Sequence, residues 1–346
     1  MGCYPGPMTA TFRFIDLCAG IGGLRIPFDS GKGGLNGECV FTAEIDPAAK
    51  LTYARNFTTS GKTVQETIEE ISNDLVTLDP DQVPDHDLLM AGFPCQPFSH
   101  AGLRQGFGDD RGGIFQKIAQ IVASKRPKVV LLENVRGLTT LRNPDGSLVL
   151  NEIIQELREP KEDLRYIVPK PQLLNARDFG LAQNRVRLFI IAIRSDVAEL
   201  EGISEDNFRW PEPTHNRDEL KVADFLDTDV APSFTISDKL WAGHLARKER
   251  NTANGKGWGY QLFTRDSKYV ATISARYFKD GSEALIGQDG DQNPRKLTPN
   301  EARKLQGFPE DFIVHESKMQ AFKQFGNAVP VNVISAIART LKPILD

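Results

Sequence analysis

The stretch GFPCQPFS (Gly92 to Ser99) sets a thiol, Cys95, directly after Pro94, with Pro97 close behind. Two prolines so near each other exclude a helix interior and a central strand. The sequence therefore predicts a stiff, irregular turn that presents the sulfur, and a thiolate held that way is a nucleophile. Glu133 follows the apolar run KVVLL. A carboxyl at such a strand end is expected to be partly desolvated, which favours a protonated, proton-donating form. In QNRVRLF, alternation puts Arg185 and Arg187 on one face of a strand that continues with Phe189, Ile191 and Ile193. Two guanidinium groups at the mouth of a buried strand can hold a carbonyl oxygen or a phosphate.

A second group of residues suggests a ligand site. In IDLCAGIGGLR an apolar strand runs into Gly20, Gly22 and Gly23, where a helix should begin. Glycines there let the backbone approach a ligand beneath a helix N-terminus. Glu44 closes the next strand, where a doubly wound fold places an acid to bind ribose hydroxyls. Glycine turn and acid together suggest a nucleoside-containing cofactor. The segment SHAGLRQGFGDDRGGIF carries five glycines and is expected to be a loop that closes over substrate, with Arg104 and Arg111 meeting phosphates. Each feature has a plainer structural alternative: turn glycines, a capping acid, a sheet-edge ion pair, a surface loop.

These groups need a frame. FRFIDL, ECVFTAEID, DHDLLMAGF, KVVLLENV and RVRLFIIAIR read as strands. PAAKLTYARNF, IFQKIAQIVASK and LVLNEIIQELRE read as helices, the second with Ile114, Ile118 and Ile121/Val122 on one stripe. Near-continuous apolar strands alternating with helices predict an α/β, doubly wound, mostly parallel Rossmann-like sheet. Cys95, Glu133 and the glycine turn then share one crevice beyond the strand ends. After about residue 197 the texture changes to prolines, acids and a Gly- and aromatic-rich stretch. A second, smaller domain of irregular and β-rich structure is expected there. The last segment, VNVISAIARTLKPIL, is apolar enough to pack back onto the first domain.

The chain has 346 residues, 40% hydrophobic and 25% charged, the composition of a soluble globular protein. No apolar run reads as transmembrane and no signal peptide is evident. Cys3, Cys18, Cys39 and Cys95 are widely spaced, with no CxxC pair and no metal-ligand cluster, so no metal is expected and a reducing, cytoplasmic setting fits. The net charge is −4, but residues 240–304 hold twelve Lys/Arg against seven Asp/Glu, and residues 61–89 hold eight acids and one lysine. A basic segment on an acidic body is compatible with a nucleic-acid face on one side.

The order of these motifs resembles that of the DNA cytosine-5 methyltransferases over nearly the whole chain. IDLCAGIGGLR resembles the cofactor motif, GFPCQPFS the Pro-Cys motif, ENV the glutamate motif and QNRVRLF the paired-arginine motif. RKLTPNEARKLQGFP and QFGNAVPVNV resemble the closing motifs. The resemblance implies S-adenosyl-L-methionine as cofactor and double-stranded DNA as partner. It implies a flipped-out cytosine whose C6 is attacked by Cys95, with Glu133 at N3, Arg187 at O2 and Arg185 supporting the same pocket. It carries cofactor contacts onto Cys18, Gly20, Gly22, Gly23, Glu44, Ile45, Pro94, Ile114 and Asn327. Cys18 stands where the family usually has an aromatic ring. For the acid that receives the adenine amino group, Thr67 occupies the expected slot, with Glu66 beside it.

The resemblance assigns 10–197 plus 316–346 to the catalytic domain, 198–315 to target recognition and 1–9 to an N-terminal extension. GKGWGYQLF and VATISARYFKDGSEALI are similar to the recognition regions of enzymes that methylate CCGG, CCNGG or CCWGG. Lys256, Trp258, Thr272, Arg276 and Tyr277 are the DNA-contact candidates, Thr272 at a phosphate. For Trp258 and Tyr277 a place in the core of the small domain is the alternative. A monomer is expected, belonging to a restriction–modification system with a separate cognate endonuclease, or acting alone. The competing readings are the same chemistry on tRNA, an inactive DNA-binding regulator, and a dinucleotide-dependent oxidoreductase that would explain only the glycines and Glu44.

Overall fold

The structure is a computed structural model that describes residues 11–94, 113–256 and 259–346. The chain divides into two compact units. The first comprises Met1–Leu174, Val186–Pro211 and Ile334–Asp346; the second comprises Asn175–Arg185 and Glu212–Val333. The division differs from the expected domains. Residues 198–211 fall in the first unit, 175–185 in the second, and the C-terminal helix joins the first unit only from Ile334.

The first unit is built on strands β1 (Phe12–Leu17), β2 (Gly37–Ala43), β3 (Leu88–Gly92), β4 (Val129–Val135), β5 (Tyr166–Ile167), β6 (Gln172–Asn175) and, after β7 (Gln183–Asn184) of the second unit, β8 (Val186–Arg194). The order across the sheet is β2-β1-β3-β4-β8-β5, with β6 also on β8. β2, β1, β3 and β4 are parallel, whereas β8 runs antiparallel to both β4 and β5. The expected mostly parallel α/β sheet is present, with the last long strand reversed.

Helices α1 (Pro47–Phe57), α2 (Val64–Glu70), α3 (Gly113–Lys125), α4 (Val149–Arg158) and α5 (Ser195–Leu200) accompany the sheet. Their starts are encoded locally. Asp46 accepts from the backbone of Ala48 and Ala49 with Pro47 at the first helical position, and Thr63 with Glu66 forms a capping box. Ile118, Ile121 and Val122 of α3 and Val149, Ile153 and Leu157 of α4 are buried, as their helical spacing requires. They join the core with Leu89, Ala91, Val130, Leu132, Leu188 and Ile190.

The second unit contains α6 (Asp238–Ala253), β9 (Leu262–Phe263), β10 (Val270–Ala271), β11 (Leu285–Ile286), α7 (Pro299–Leu305) and α8 (Lys318–Asn327). Its strands are two residues long, and irregular backbone dominates. A buried polar cluster organises it. Arg295 meets both carboxylate oxygens of Glu301 at 2.8 Å, and Glu301 also accepts from the backbone of Thr298 and Asp227. Glu301 is fully buried, and these donors satisfy both of its carboxyl oxygens.

α9 (Val331–Leu345) closes the chain. The stretch Lys318–Leu345 has the length and hydropathy of a membrane span, but 67% of its apolar window is buried inside the protein. It is two helices, α8 and α9, each packed by its apolar face.

Candidate active site

The parallel strands of the first unit end at one edge, where Gly20, Glu44 and Glu133 follow or close β1, β2 and β4. Cys18 and Gly20 follow β1 with φ of 53° and 56°, so the loop turns through the left-handed region. The Gly20 N–H donates to Glu44 Oε2 at 2.7 Å, and the Asp46 N–H to Glu44 Oε1 at 2.7 Å. Glu44 therefore ties the glycine turn to the start of α1. A Cβ on Gly20 would meet nothing within 4 Å, so the backbone there faces open space. Gly22 differs: a Cβ on it would run into the Phe57 ring, and its φ is 83°. Gly22 and the buried Gly23 allow the loop to pack on α1; of the expected glycines, Gly20 is the one open to a ligand.

Ile45, beside Glu44, leaves 73% of its apolar surface exposed among the described residues. Ile114, at the start of α3, is half-buried against the core. The Cys18 thiol is pushed up to about 12 by burial and by the neighbouring Glu44 and Asp16 carboxylates, so it stays neutral. Thr67 lies inside α2 and is buried; its hydroxyl donates to Thr63 O at 3.2 Å and accepts from Thr58 at 3.0 Å. That commitment overturns its expected place at the cofactor edge. The chain instead returns alongside β2 at Ser72, whose N–H donates to Thr42 O, while Glu44 N–H donates to Ser72 O, both at 3.0 Å. Asp74 follows two residues later, half-buried, with Oδ1 accepting from Val76 N at 2.9 Å. Asp74 is a further candidate acid at this edge. Its signal was present in ISND, a short apolar-polar run ending in an acid before the next strand, as ECVFTAE ends at Glu44.

At β3 and β4 the register pairs Gly92 with Glu133. Glu133 is 8% exposed, and its Oε2 stands 3.4 Å from where a Cβ on Gly92 would be. The next residue, Asn134, donates from Nδ2 to Phe93 O at 3.0 Å, fixing the chain just before Pro94, which is exposed. Cys95, Arg104, Arg111 and Trp258 lie outside the described residues. On the other side, the antiparallel register pairs Glu133 with Phe189 and Val135 with Arg187. Arg187 is thus the diagonal neighbour of Glu133, and its Nε lies 3.1 Å from Glu133 Oε1. Burial pulls the Arg187 guanidinium down, and Glu133 opposes that shift. Glu133 faces a cation, where the sequence expectation was of desolvation alone.

Arg185 does not share this place. It precedes β8, belongs to the second unit and is 1% exposed. Its Nη1 donates to Ile273 O at 3.0 Å and its Nη2 to Gly326 O at 2.8 Å and Ala328 O at 2.6 Å. The expected common face with Arg187 fails because the chain turns at this point, with Arg185 N bonded to Gln183 O. Arg185 is a buried cross-link between the paired-arginine and closing segments. Within the same unit, Tyr277 is fully buried, donating to Ala284 O and accepting from Leu297 N, both at 2.8 Å; it is a core residue rather than a DNA contact. The Thr272 hydroxyl donates to Asn184 O at 2.6 Å. Arg276, Lys256 and Asn327 are exposed. Among the described residues no group of His, Cys, Asp or Glu could hold a metal ion.

Sheet and strand-end groups define a methyltransferase-type α/β fold. The solved methyltransferase EhMeth of Entamoeba histolytica shares it with a TM-score of 0.72 at 20% identity, over 96% of this chain and 98% of that one. The S. pombe Dnmt2 methyltransferase does so with a TM-score of 0.69 at 19% identity, over 96% and 99%. The family model for C-5 cytosine-specific DNA methylase matches residues 12–343. The Type II methyltransferase M1.ScrFI of Lactococcus lactis subsp. cremoris is 45% identical over 98% of this chain and 80% of its own length. M.NlaX of Neisseria lactamica is 44% identical over 97% of both chains. The chain belongs to the C-5 cytosine-specific DNA methylase family and is a DNA (cytosine-5) methyltransferase.

Proposed function

We propose that the protein transfers a methyl group from S-adenosyl-L-methionine to C5 of a flipped-out cytosine in a short duplex site of the CCGG, CCNGG or CCWGG kind. The observation that carries this reading is the Glu133–Arg187 pair, 3.1 Å apart at the strand ends. Cytosine N3 and the exocyclic O2 are bonded to the same ring carbon, C2, so a neighbouring carboxyl and guanidinium match them as a set.

The chain's residues fit the cofactor. Gly20 offers open backbone at a left-handed turn, Glu44 stands where ribose hydroxyls need an acceptor, and Ile45 offers an uncovered apolar surface for adenine. Ile114 flanks the same base, Asp74 accepts a hydrogen bond from its amino group, and Pro94 completes the contacts. Cys18, neutral, packs as a small side chain. The bound cofactor supplies an electrophilic methyl group on a sulfonium centre.

The remaining steps belong to the protein and the base. C5 of cytosine is a poor nucleophile inside a stacked duplex, so the nucleotide is extruded at roughly a few kcal/mol. The Cys95 thiolate adds to C6, Glu133 donates a hydrogen bond at N3 and Arg187 holds O2; C5 then carries the electron pair that accepts the methyl group. Loss of the C5 proton to a base and elimination of Cys95 restore the aromatic ring. Arg104, Arg111 and Arg276 meet DNA, with Arg276 suited to guanine. The protein works as a monomer in a reducing, cytoplasmic setting, beside a separate cognate endonuclease where the host encodes one.

Duplex DNA carrying 5-fluorocytosine at the target should trap a covalent adduct with the wild-type protein and none with Cys95→Ser. Methyl transfer retained by Cys95→Ser would remove Cys95 from the mechanism. Bisulfite sequencing of DNA from cells expressing the protein reads the site directly; modification outside all three sequence contexts would overturn the proposed specificity.

A further inference from the structure

Helix α6 is exposed well beyond what its length requires. Of its sixteen residues only His244 is buried. The segment 238–256 carries five Lys/Arg against two acids, Asp238 and Glu249, on a chain whose net charge is −4. Lys239 and Arg250 are eleven residues apart, about three helical turns, so they lie on one face. Both are exposed, as is Lys256 just beyond the helix, and none of the three has an ion-pair partner among the described residues. Of the two acids, Asp238 is engaged by Asn293 Nδ2 at 2.6 Å, and Glu249 is exposed.

The opposite face is firmly seated. Trp241 and Tyr260 stack edge-on with ring centroids 4.7 Å apart, and Lys248 Nζ lies 4.4 Å over the Tyr260 ring. His244 Nε2 stands 3.3 Å from Asp280 O, and Arg247 donates to Asp280 Oδ2 at 3.1 Å. Asp280 ends the turn that carries the exposed Arg276 and Lys279. α6 is therefore a rigid element clamped to the same turn as the candidate reading arginine, with its free cations pointing to solvent.

We propose that the outer face of α6, through Lys239, Arg250 and Lys256, docks on the phosphate backbone of duplex DNA. Charge complementarity selects the occupant: a cationic face on an anionic protein attracts a polyanion and repels a second copy of the same face. Phosphate contacts position a protein on DNA without reading sequence. This inference rests on the proposed action on duplex DNA.

The test is the salt dependence of DNA binding by the full chain, wild type against the triple variant Lys239→Gln, Arg250→Gln, Lys256→Gln. Three lost phosphate contacts should flatten the slope of log affinity against log salt by about 2.7, so the loss in affinity between ~50 and ~200 mM salt shrinks about 40-fold. The ratio of target to non-target affinity should hold. A control that removes three exposed cations elsewhere, Lys161→Gln, Arg339→Gln and Lys342→Gln, should leave the slope unchanged. An unchanged slope in the first variant, or an equal change in both, overturns the role of α6. A wild-type protein that transfers no methyl group to duplex DNA defeats the functional reading instead, which separates the two failures.

Discussion

Glu133 and Arg187 face each other at 3.1 Å although fifty-four positions separate them in the chain, because β8 runs antiparallel beside β4 and offsets Arg187 by one diagonal step. Neither side chain is more than 13% exposed. Removing either partner breaks this buried contact. Arg187→Ala should lower single-turnover methyl transfer by roughly 10²–10³, the range for a lost transition-state hydrogen bond. Arg187→Lys should restore part of it. Rates measured with labelled cofactor at saturating DNA check this; a variant within a few-fold of wild type would remove Arg187 from the pocket.

Asp74 and Thr67 make opposite predictions for cofactor binding. The Thr67 hydroxyl is spent on Thr63 and Thr58 inside α2, whereas Asp74 follows the backbone pairing of Ser72 with β2. Asp74→Ala should weaken binding of S-adenosylhomocysteine about tenfold, the loss of one hydrogen bond to a charged group. Thr67→Val should change it less than twofold. Isothermal titration calorimetry decides between them, and equal losses in both would reject Asp74 as the adenine partner.

Gly20 and Gly22 separate ligand binding from packing. Both have positive φ, which costs a non-glycine residue roughly 1–2 kcal/mol. A Cβ at Gly22 additionally collides with Phe57, while one at Gly20 meets open space. Gly22→Ala should therefore lower the melting temperature more than Gly20→Ala. Gly20→Ala should lose cofactor affinity out of proportion to its stability. Thermal melts with and without S-adenosylhomocysteine test both statements.

Asp16 links stability to pH. It is fully buried near the end of β1, and burial raises its pKa well above 3.8, with Arg25 and Tyr53 opposing. In the folded state it keeps its proton at a pH where the unfolded chain has released it. Its contribution is thus complete below the unfolded value and is lost as pH rises through the folded one. Asp16→Asn should flatten the decline by up to about 1.4 kcal/mol per pH unit in that window. Urea denaturation of both proteins from pH 4 upward measures the difference; parallel curves would mean that Asp16 is ionised throughout.

Part of the candidate site was legible in residue order. The glycine turn, Glu44 and Glu133 follow short-range rules: strands end at glycine or acid, and helices begin at Asp46 or Thr63. What periodicity misjudged lies where the chain leaves regular structure. Arg185 and Arg187 look equivalent by alternation, yet a bend between Gln183 and Arg185, just before β8, sends one into a buried cross-link and leaves the other beside Glu133. Tyr277 and Thr67 carried polar groups that suggested contacts, and both are consumed internally.

By itself the sequence determined the doubly wound sheet, the order of its catalytic motifs and the edge at which they gather, because burial patterns and turn residues act over a few positions. Only the tertiary structure decided which carboxylate meets which guanidinium, which glycine stays open and which acid returns beside β2. Those outcomes depend on strand direction and register, which join residues far apart in the chain and leave no local mark.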